Sequence, residues 1–372
     1  MTNRERAMNI LHYKSVDRLP AVHFGYWRDL LLEWAEQGKI TKELAMSVWH
    51  SNEADNELDK IIGWDFDWED FLRLNMRLDP MFEKKELEVL PDGSRRVLSS
   101  YGVIERIKPG ITSIPSEDDY LLKDREAFET LFKPRMQYTP ERIDFERLKN
   151  FNETRRWDVP VGVHLGSVMG DIRNITTVAG MSYLMYDEDE DLFADIVDTY
   201  ADMQYRCVEA ILASGATFDF GHFWEDICFK NGPLLSPTLF DELCAKHYKK
   251  RTDLCHRYGI DIISLDCDGI TESLLSTWIE NGVNVMFPIE VGVWGDQFEA
   301  ARKKYGERML GVGGMDKSVL RKDRAAVDAE IERLKRLVAL GGFIPCPDHN
   351  LLPGSKFELV QYYAEEIKKI KI

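Results

Sequence analysis

Between residues 158 and 370 the chain alternates strictly between short β-branched runs and longer amphipathic stretches, and this rhythm limits the fold more than any other feature. The runs are Val159–His164, Thr217–His222, Ile260–Asp266, Val283–Pro288, Met309–Val312 and Phe343–Pro345, with an earlier one at Leu19–Phe24. Helices are predicted at 190–213, 237–258, 271–281, 297–305, 322–339 and 356–370. A helix between every two strands implies a parallel sheet, because parallel strands need a long crossover connection. Seven or eight such strands point to an α/β fold closed into a single (β/α)8 TIM barrel; an open doubly wound sheet is the alternative. Ser236-Pro237 reads as an N-cap followed by Pro at the first helical position, and Gly259 as the glycine that ends the same helix. Gly341-Gly342 closes the 322–339 helix in the same way.

Residues 28–157 break the rhythm. They carry Trp64, Trp68, the charged stretch Glu83-Lys84-Lys85-Glu86, a turn at Pro91-Asp92-Gly93 and a strand-like Ser99–Ile107. The expectation is a helical and hairpin excursion over the barrel mouth, within one domain spanning 1–372.

Charge and cysteine content exclude several function classes. With 48 basic and 65 acidic residues the formal charge is −17, which repels a polyanion, so no nucleic-acid partner is expected. The six cysteines begin only at Cys207 and include no Cys-x-x-Cys, so reduced thiols are expected rather than a disulfide framework. No apolar run approaches the ~18 residues of a membrane span and the N-terminus turns polar at once, so a cytoplasmic location is expected. Homo-oligomerisation is compatible with all of this.

In a barrel the reactive groups sit at the C-terminal ends of the strands. That places Trp224-Glu225-Asp226, Asp266-Cys267-Asp268-Gly269, Glu290, Gly313-Gly314-Met315-Asp316-Lys317 and Asp348-His349 at one mouth. Asp266 and Asp268, two apart in extended chain, face the same side and either share a proton or hold a cation. His349, between Asp348 and Asn350, reads as an oriented imidazole, and Glu225 as part of an acid pair beside an aromatic wall. The catalytic candidates are therefore His349, Asp266, Asp268 and Glu225, with the same four as candidate metal ligands. The candidates for substrate contact are Tyr26, Trp27, Trp224 and Trp294 as ring walls, Lys317 as a cation, and His164 and His222 at strand ends. Gly313-Gly314 is either an anion cradle or a close-packed turn. Cys267 and Cys346 read as bland thiols, and Cys244, Cys255, His247 and His256 as packing or surface groups.

Several motifs resemble the uroporphyrinogen decarboxylase superfamily. They are Arg4-Glu5-Arg6-Ala7 with Asp17-Arg18-Leu19-Pro20, the run from Gly232 to Pro237, Gly313-Gly314-Met315-Asp316-Lys317, and Gly341 to Pro345 followed by Asp348-His349 and Pro353. The resemblance spans nearly the whole chain in the superfamily's order and implies a single (β/α)8 barrel. True decarboxylases of this kind carry an Arg-Gln-Ala-Gly-Arg segment after the first strand; here His23-Phe24-Gly25-Tyr26-Trp27-Arg28 stands in its place. The thiol-methylating branch binds zinc through His-x-Cys and a later Cys, and the matching positions are Asp266-Cys267-Asp268 and His349. The thiolates are absent, which suits oxygen chemistry better than thiol activation.

The resemblance thus implies a methyltransferase that demethylates a methoxylated, aromatic substrate onto Co(I) of a separate corrinoid protein. The chain has no Asp-x-His-x-x-Gly attachment signature, so cobalamin would arrive on that partner, and zinc is the candidate ion. The alternatives are a methylcorrinoid:acceptor methyltransferase, a decarboxylase of the parent type, and a non-catalytic barrel that docks a corrinoid protein.

Overall fold

The computed structural model describes residues 1–110, 115–186, 189, 191–295 and 297–371. Eight strand positions form the barrel. They are β1 (Val22–His23), β2 (Phe66–Asp67, resuming at Phe71–Leu72), β3 (Gly162–Gly166), β4 (Phe220–Trp224), β5 (Ile263–Asp266), β6 (Val285–Ile289), β7 (Leu310–Met315) and β8 (Phe343–Pro347). All neighbours pair in parallel, β1 with the first part of β2, the second part of β2 with β3, and then in sequence to β8. A parallel bridge between Tyr26 and Leu351 closes the circle from β8 to β1. The main chain there exchanges two hydrogen bonds, Leu351 N to Gly25 O and Trp27 N to Leu351 O, each 3.1 Å.

The interior is aromatic, as a barrel needs large side chains to fill it. Trp68 stacks on Phe220 at 4.8 Å, Phe24 meets Phe287 edge-on at 4.7 Å, and Phe71 stacks on His222 at 4.4 Å. Six helices lie close to their expected spans: Leu192–Ala213, Pro237–Arg257, Leu275–Glu280, Phe298–Tyr305, Arg324–Val338 and Phe357–Ile367. Residue 190, the expected start of the first, lies outside the described residues. Ser236 is the N-cap with Pro237 inside it, although its side chain makes no capping bond. The helix Gly170–Leu184 was not foreseen; its mixed sequence, with Thr176 and Thr177 inside, shows little helical stripe.

Of the strands foreseen, all but β8 begin later than the β-branched runs suggest, and β3, β4, β6, β7 and β8 also end later. In those five the strand extends further toward the mouth than the run does. The region 28–157 also differs from a pure excursion. It contains β2, which sequence reading misses because Phe66–Leu72 holds three acids among its aromatics. The true insertion is a four-stranded antiparallel meander, Lys85–Val89, Arg95–Leu98, Val103–Ile107 and Ser116–Tyr120. It packs on the helix Gly170–Leu184, where a side chain at Gly180 would collide with the Tyr120 ring at 2.7 Å.

Candidate active site

Asp266 ends β5, level with Trp224 of β4 and Phe287 of β6. Its carboxyl is nearly inaccessible, at 8% exposure. Burial pushes its pKa well above the ordinary carboxylate value, and the charges of Asp268, Glu69, Asp226 and Glu290 push the same way. Burial also raises Asp226, against an opposing contribution from Arg173, and raises Glu290, which feels Asp268. A mouth crowded with acids therefore keeps a proton on its most buried member.

His349, beyond β8, brings Nε2 to 3.4 Å from Asp268 Oδ2. Its other nitrogen, Nδ1, accepts the Asn350 N–H at 2.8 Å, so the proton of the neutral ring sits on Nε2, facing Asp268. The Phe24 ring packs edge-on against the imidazole at 5.1 Å. Asp268 Oδ1 is buried with no hydrogen-bond partner among the described residues. Glu290 accepts from Gly269 N at 3.1 Å and from the Trp294 indole, which fixes Trp294 at this edge of the mouth. Trp224 stands at the other edge, with the Arg173 guanidinium 5.9 Å from its ring centre and paired to Asp226 at 3.2 Å.

Three expectations need correction. Glu225 is not part of this group. It is fully buried, and its two oxygens accept from Ser167 Oγ (3.1 Å), Val168 N (2.7 Å), Met169 N and Gly170 N (both 2.9 Å) and Tyr248 Oη (2.5 Å). It staples the N-terminus of the helix Gly170–Leu184 to β4, and the approach is so close that a Cβ at Gly170 would lie 1.9 Å from the Glu225 carbonyl oxygen. Such a carboxylate has no lone pair left for a metal or a substrate. Lys317 likewise is no free cation: its ammonium is buried against Asp348 Oδ1 at 2.9 Å. Asp348 meanwhile accepts from Val291 N and Gly292 N, which ties β6, β7 and β8 together. Tyr26 is a core ring between His23 (5.2 Å) and Trp34 (5.8 Å), not a wall of the mouth.

The remaining candidates fall into place differently. Gly313 lies inside β7, where a Cβ would sit 2.3 Å from the Ile289 nitrogen; its φ of +127° and this contact make it a close-packed strand glycine. Trp27 is 46% exposed at the rim. His164 and His222 pair across β3 and β4 below the mouth. Burial and nearby arginines hold His164 down to about 3, and burial holds His222 well below its ordinary value, so both are neutral. All six cysteines are buried free thiols.

Asp226 and Glu290, placed at the mouth by their strand ends but not among the catalytic candidates, join the acid cluster, and the residues missed outright are Glu69 and His50. Asp226 takes a left-handed conformation (φ +45°) that turns it toward the mouth while Glu225 points inward, which strand parity alone does not reveal. Glu69 and His50 come from the segment around β2, with His50 Nε2 3.4 Å from Glu69 and Nδ1 2.9 Å from Asp67. No signal in the sequence connects them to Asp266. A second buried group, His23, Asp55 and Asp59, brings its ligand atoms within 4.8 Å. There too a main-chain N–H, from Gly25, occupies Nδ1 at 3.0 Å, so Nε2 keeps its proton, 2.8 Å from Asp59.

The model of the family "Uroporphyrinogen decarboxylase (URO-D)" matches residues 114–370. Among solved structures, a methyltransferase from Methanosarcina mazei superposes with a TM-score of 0.59 at 14% identity, covering 99% of this chain and 98% of its own. A B12-independent methionine synthase from Shewanella sp. W3-18-1, in complex with selenomethionine, gives a TM-score of 0.48 at 12% identity over 95% and 98% of the two chains. No curated protein sequence matches the chain.

Proposed function

Because the chain belongs to the uroporphyrinogen decarboxylase (URO-D) family, we propose that it is a methyltransferase that cleaves a methyl ether, an aryl one by preference, and passes the methyl group to a corrinoid carried by another protein. The observation that carries this reading is Asp266, a carboxyl kept protonated by burial and four neighbouring acids beside the Asp268–His349 pair. Breaking a C–O bond leaves an oxygen that needs a proton as it departs, and a buried acid with a raised pKa is suited to give one. The methyl–oxygen bond breaks, the Asp266 proton goes to the oxygen, and the alcohol or phenol leaves. Co(I) of the corrinoid supplies the electron pair that takes the methyl group. His349, with its Nε2 proton turned to Asp268, is positioned to hold that carboxylate in place beside Asp266.

The methyltransferase from Methanosarcina mazei supports methyl transfer as the reaction class. Decarboxylation of a polycarboxylate fits less well. Arg28, the single arginine in the segment after β1, is bound to the carbonyl oxygens of Ala45 and Val48 and cannot hold an acidic side chain. A zinc ion does not fit the donor set either. The His349 Nε2 bears the ring proton, because Nδ1 is occupied by the Asn350 N–H. No step is routed through zinc. For the partner, the rim offers Trp27, Met46 and Trp49, exposed by 46, 57 and 63% on the segment that leads to His50. Clustered aromatic and Met side chains suit a protein interface.

The test is to mix the chain with reduced corrinoid protein and a series of methoxylated compounds, following the cobalt absorption spectrum. Conversion of Co(I) with one such ether supports the reading. Methyl transfer only in the reverse sense, from methylcorrinoid to an acceptor, would replace it with the opposite direction, and binding of the corrinoid protein without transfer would leave a docking barrel.

A further inference from the structure

Two tryptophans flank the mouth, and each stands beside an acid. At the β4 edge, Trp224 and Asp226 share a cation: the Arg173 guanidinium lies 5.9 Å from the centre of the Trp224 ring and 3.2 Å from Asp226 Oδ2. At the β6 edge, Trp294 donates its indole N–H to Glu290, but no arginine or lysine among the described residues pairs with that carboxylate. Asp268 also lacks a cation. Its Oδ2 faces the neutral His349 ring at 3.4 Å, and its Oδ1 is buried with no hydrogen-bond partner among the described residues. Glu290 accepts the N–H of Gly269, the residue after Asp268, at 3.1 Å, so both carboxylates border the end of β5. Glu69, by contrast, is paired with Arg73 and His50. The uncompensated charge is therefore on the β5–β6 side of the mouth.

Two carboxylates side by side repel each other and favour a positive charge between them. Burial raises Glu290, and the charge of Asp268 raises it further. The face of an indole adds its own attraction for a cation, the strongest of any aromatic side chain. That wall favours an organic cation over a metal ion, which seeks oxygen ligands all round. A second contact lies next to the pair. Register puts Asp266 on the inner face of the barrel, level with Trp224 and Phe287. Its carboxyl, only 8% exposed, makes no hydrogen bond with any of the described residues. A ligand that reaches into the mouth thus meets a buried polar group ready to bond it, beside a pair of unmatched negative charges.

We propose that the β5–β6 side of the mouth binds an ammonium group, and that the substrate is a methyl ether that carries one. The cation sits against Asp268, Glu290 and the Trp294 ring, and the ether oxygen meets Asp266. This rests on the reading of the chain as an ether-cleaving methyltransferase and narrows its substrate by charge. A methoxylated carboxylate would meet repulsion at the same place. Glu290 and Trp294 take no part in the chemistry; they decide which ether enters.

The experiment measures binding by calorimetry, with a chelator and no corrinoid protein present. The probes are 4-methoxybenzylamine, 4-methylanisole and 4-methoxybenzoate, which are similar in size and at neutral pH are cationic, uncharged and anionic. The wild-type chain is expected to bind the amine about ten-fold more tightly than 4-methylanisole, the strength of one hydrogen bond to a charged group, and the benzoate more weakly than either. High salt should weaken the amine alone. Glu290→Gln keeps an acceptor for the Gly269 N–H and removes the charge. It should lose most of the preference for the amine and leave the affinity for 4-methylanisole unchanged; should it not fold, the salt dependence of the wild type decides. An affinity for the benzoate equal to that for the amine, an amine preference that survives Glu290→Gln or high salt, or binding of no probe overturns the proposal. The same probes separate this inference from the reaction itself. Amine binding that responds to Glu290→Gln, with no methyl transfer to a corrinoid protein, sustains the ammonium site and removes the proposed reaction. Methyl transfer from 4-methylanisole and the amine with equal KM does the opposite.

Discussion

Replacing Asp266 with Asn tests the protonated carboxyl more directly than loss of activity alone. Amide and protonated carboxyl have nearly the same shape and charge, so the buried end of β5 keeps its packing. In the wild type the carboxyl is neutral when folded and ionised when unfolded at any pH between its two pKa values. Over that window the native state binds one more proton than the unfolded chain, and stability falls as pH rises, by about 1.4 kcal/mol per pH unit. The sign follows from the direction of the shift: a raised carboxyl pKa penalises the native state above the unfolded value, and the penalty stops growing at the folded value. Asp266→Asn lacks this term. As pH rises above the ordinary carboxylate value its denaturant-derived stability should therefore improve relative to wild type, by up to about 1.4 kcal/mol per pH unit, while methyl transfer falls by about 10²–10⁴-fold for want of the acid. Urea unfolding of both proteins across a pH series measures the first quantity, and cobalt absorption the second. A stability difference that does not change with pH would mean that Asp266 is ionised in the folded protein, and the reasoning would fail even if activity were lost.

Glu225→Ala strands five buried donors, several of them worth about 1.5–3 kcal/mol apiece to a charged acceptor, and should prevent stable folding, whereas Glu225→Gln should fold with a lowered thermal midpoint; a well-folded, inactive Glu225→Ala would restore it to the active site. His349→Ala should cut turnover by about 10²–10⁴-fold with little change in substrate affinity, read by KM and kcat separately; normal turnover would remove His349 from the mechanism. Lys317→Met leaves Asp348 buried without its cation and should cost about 3–5 kcal/mol in stability without changing KM in whatever enzyme remains folded. Dialysis against a chelator should leave the wild-type rate intact, as the proton on His349 Nε2 implies; a rate lost on chelation and recovered with zinc would contradict it.

The barrel was legible because periodicity is a local property. Val283–Pro288 and Met309–Val312 announce strands, and Ser236-Pro237 and Gly259 mark helix ends, whatever surrounds them. The reactive end of the barrel followed from the same rhythm, so Asp266, Asp268 and His349 could be named as a group, and the structure brings Asp268 and His349 to 3.4 Å. Residue type and position along the chain do not, however, say which way a side chain turns once a strand stops. Glu225 and Asp226 are neighbours of like charge; a single left-handed φ at Asp226 sends one to the mouth and leaves the other to take up five donors inside. Lys317 carries a charge in any sequence reading, and only the tertiary contact with Asp348 consumes it. Glu69 lies 197 residues from Asp266 along the chain, yet its charge helps hold the Asp266 proton. The sequence by itself determined the barrel strands other than β2, six of the helices around them and the mouth at which the acids gather. Which acid keeps a proton was decided by burial and by charges brought together from distant parts of the chain, because desolvation and Coulomb energies depend on distance in space and not on distance in sequence.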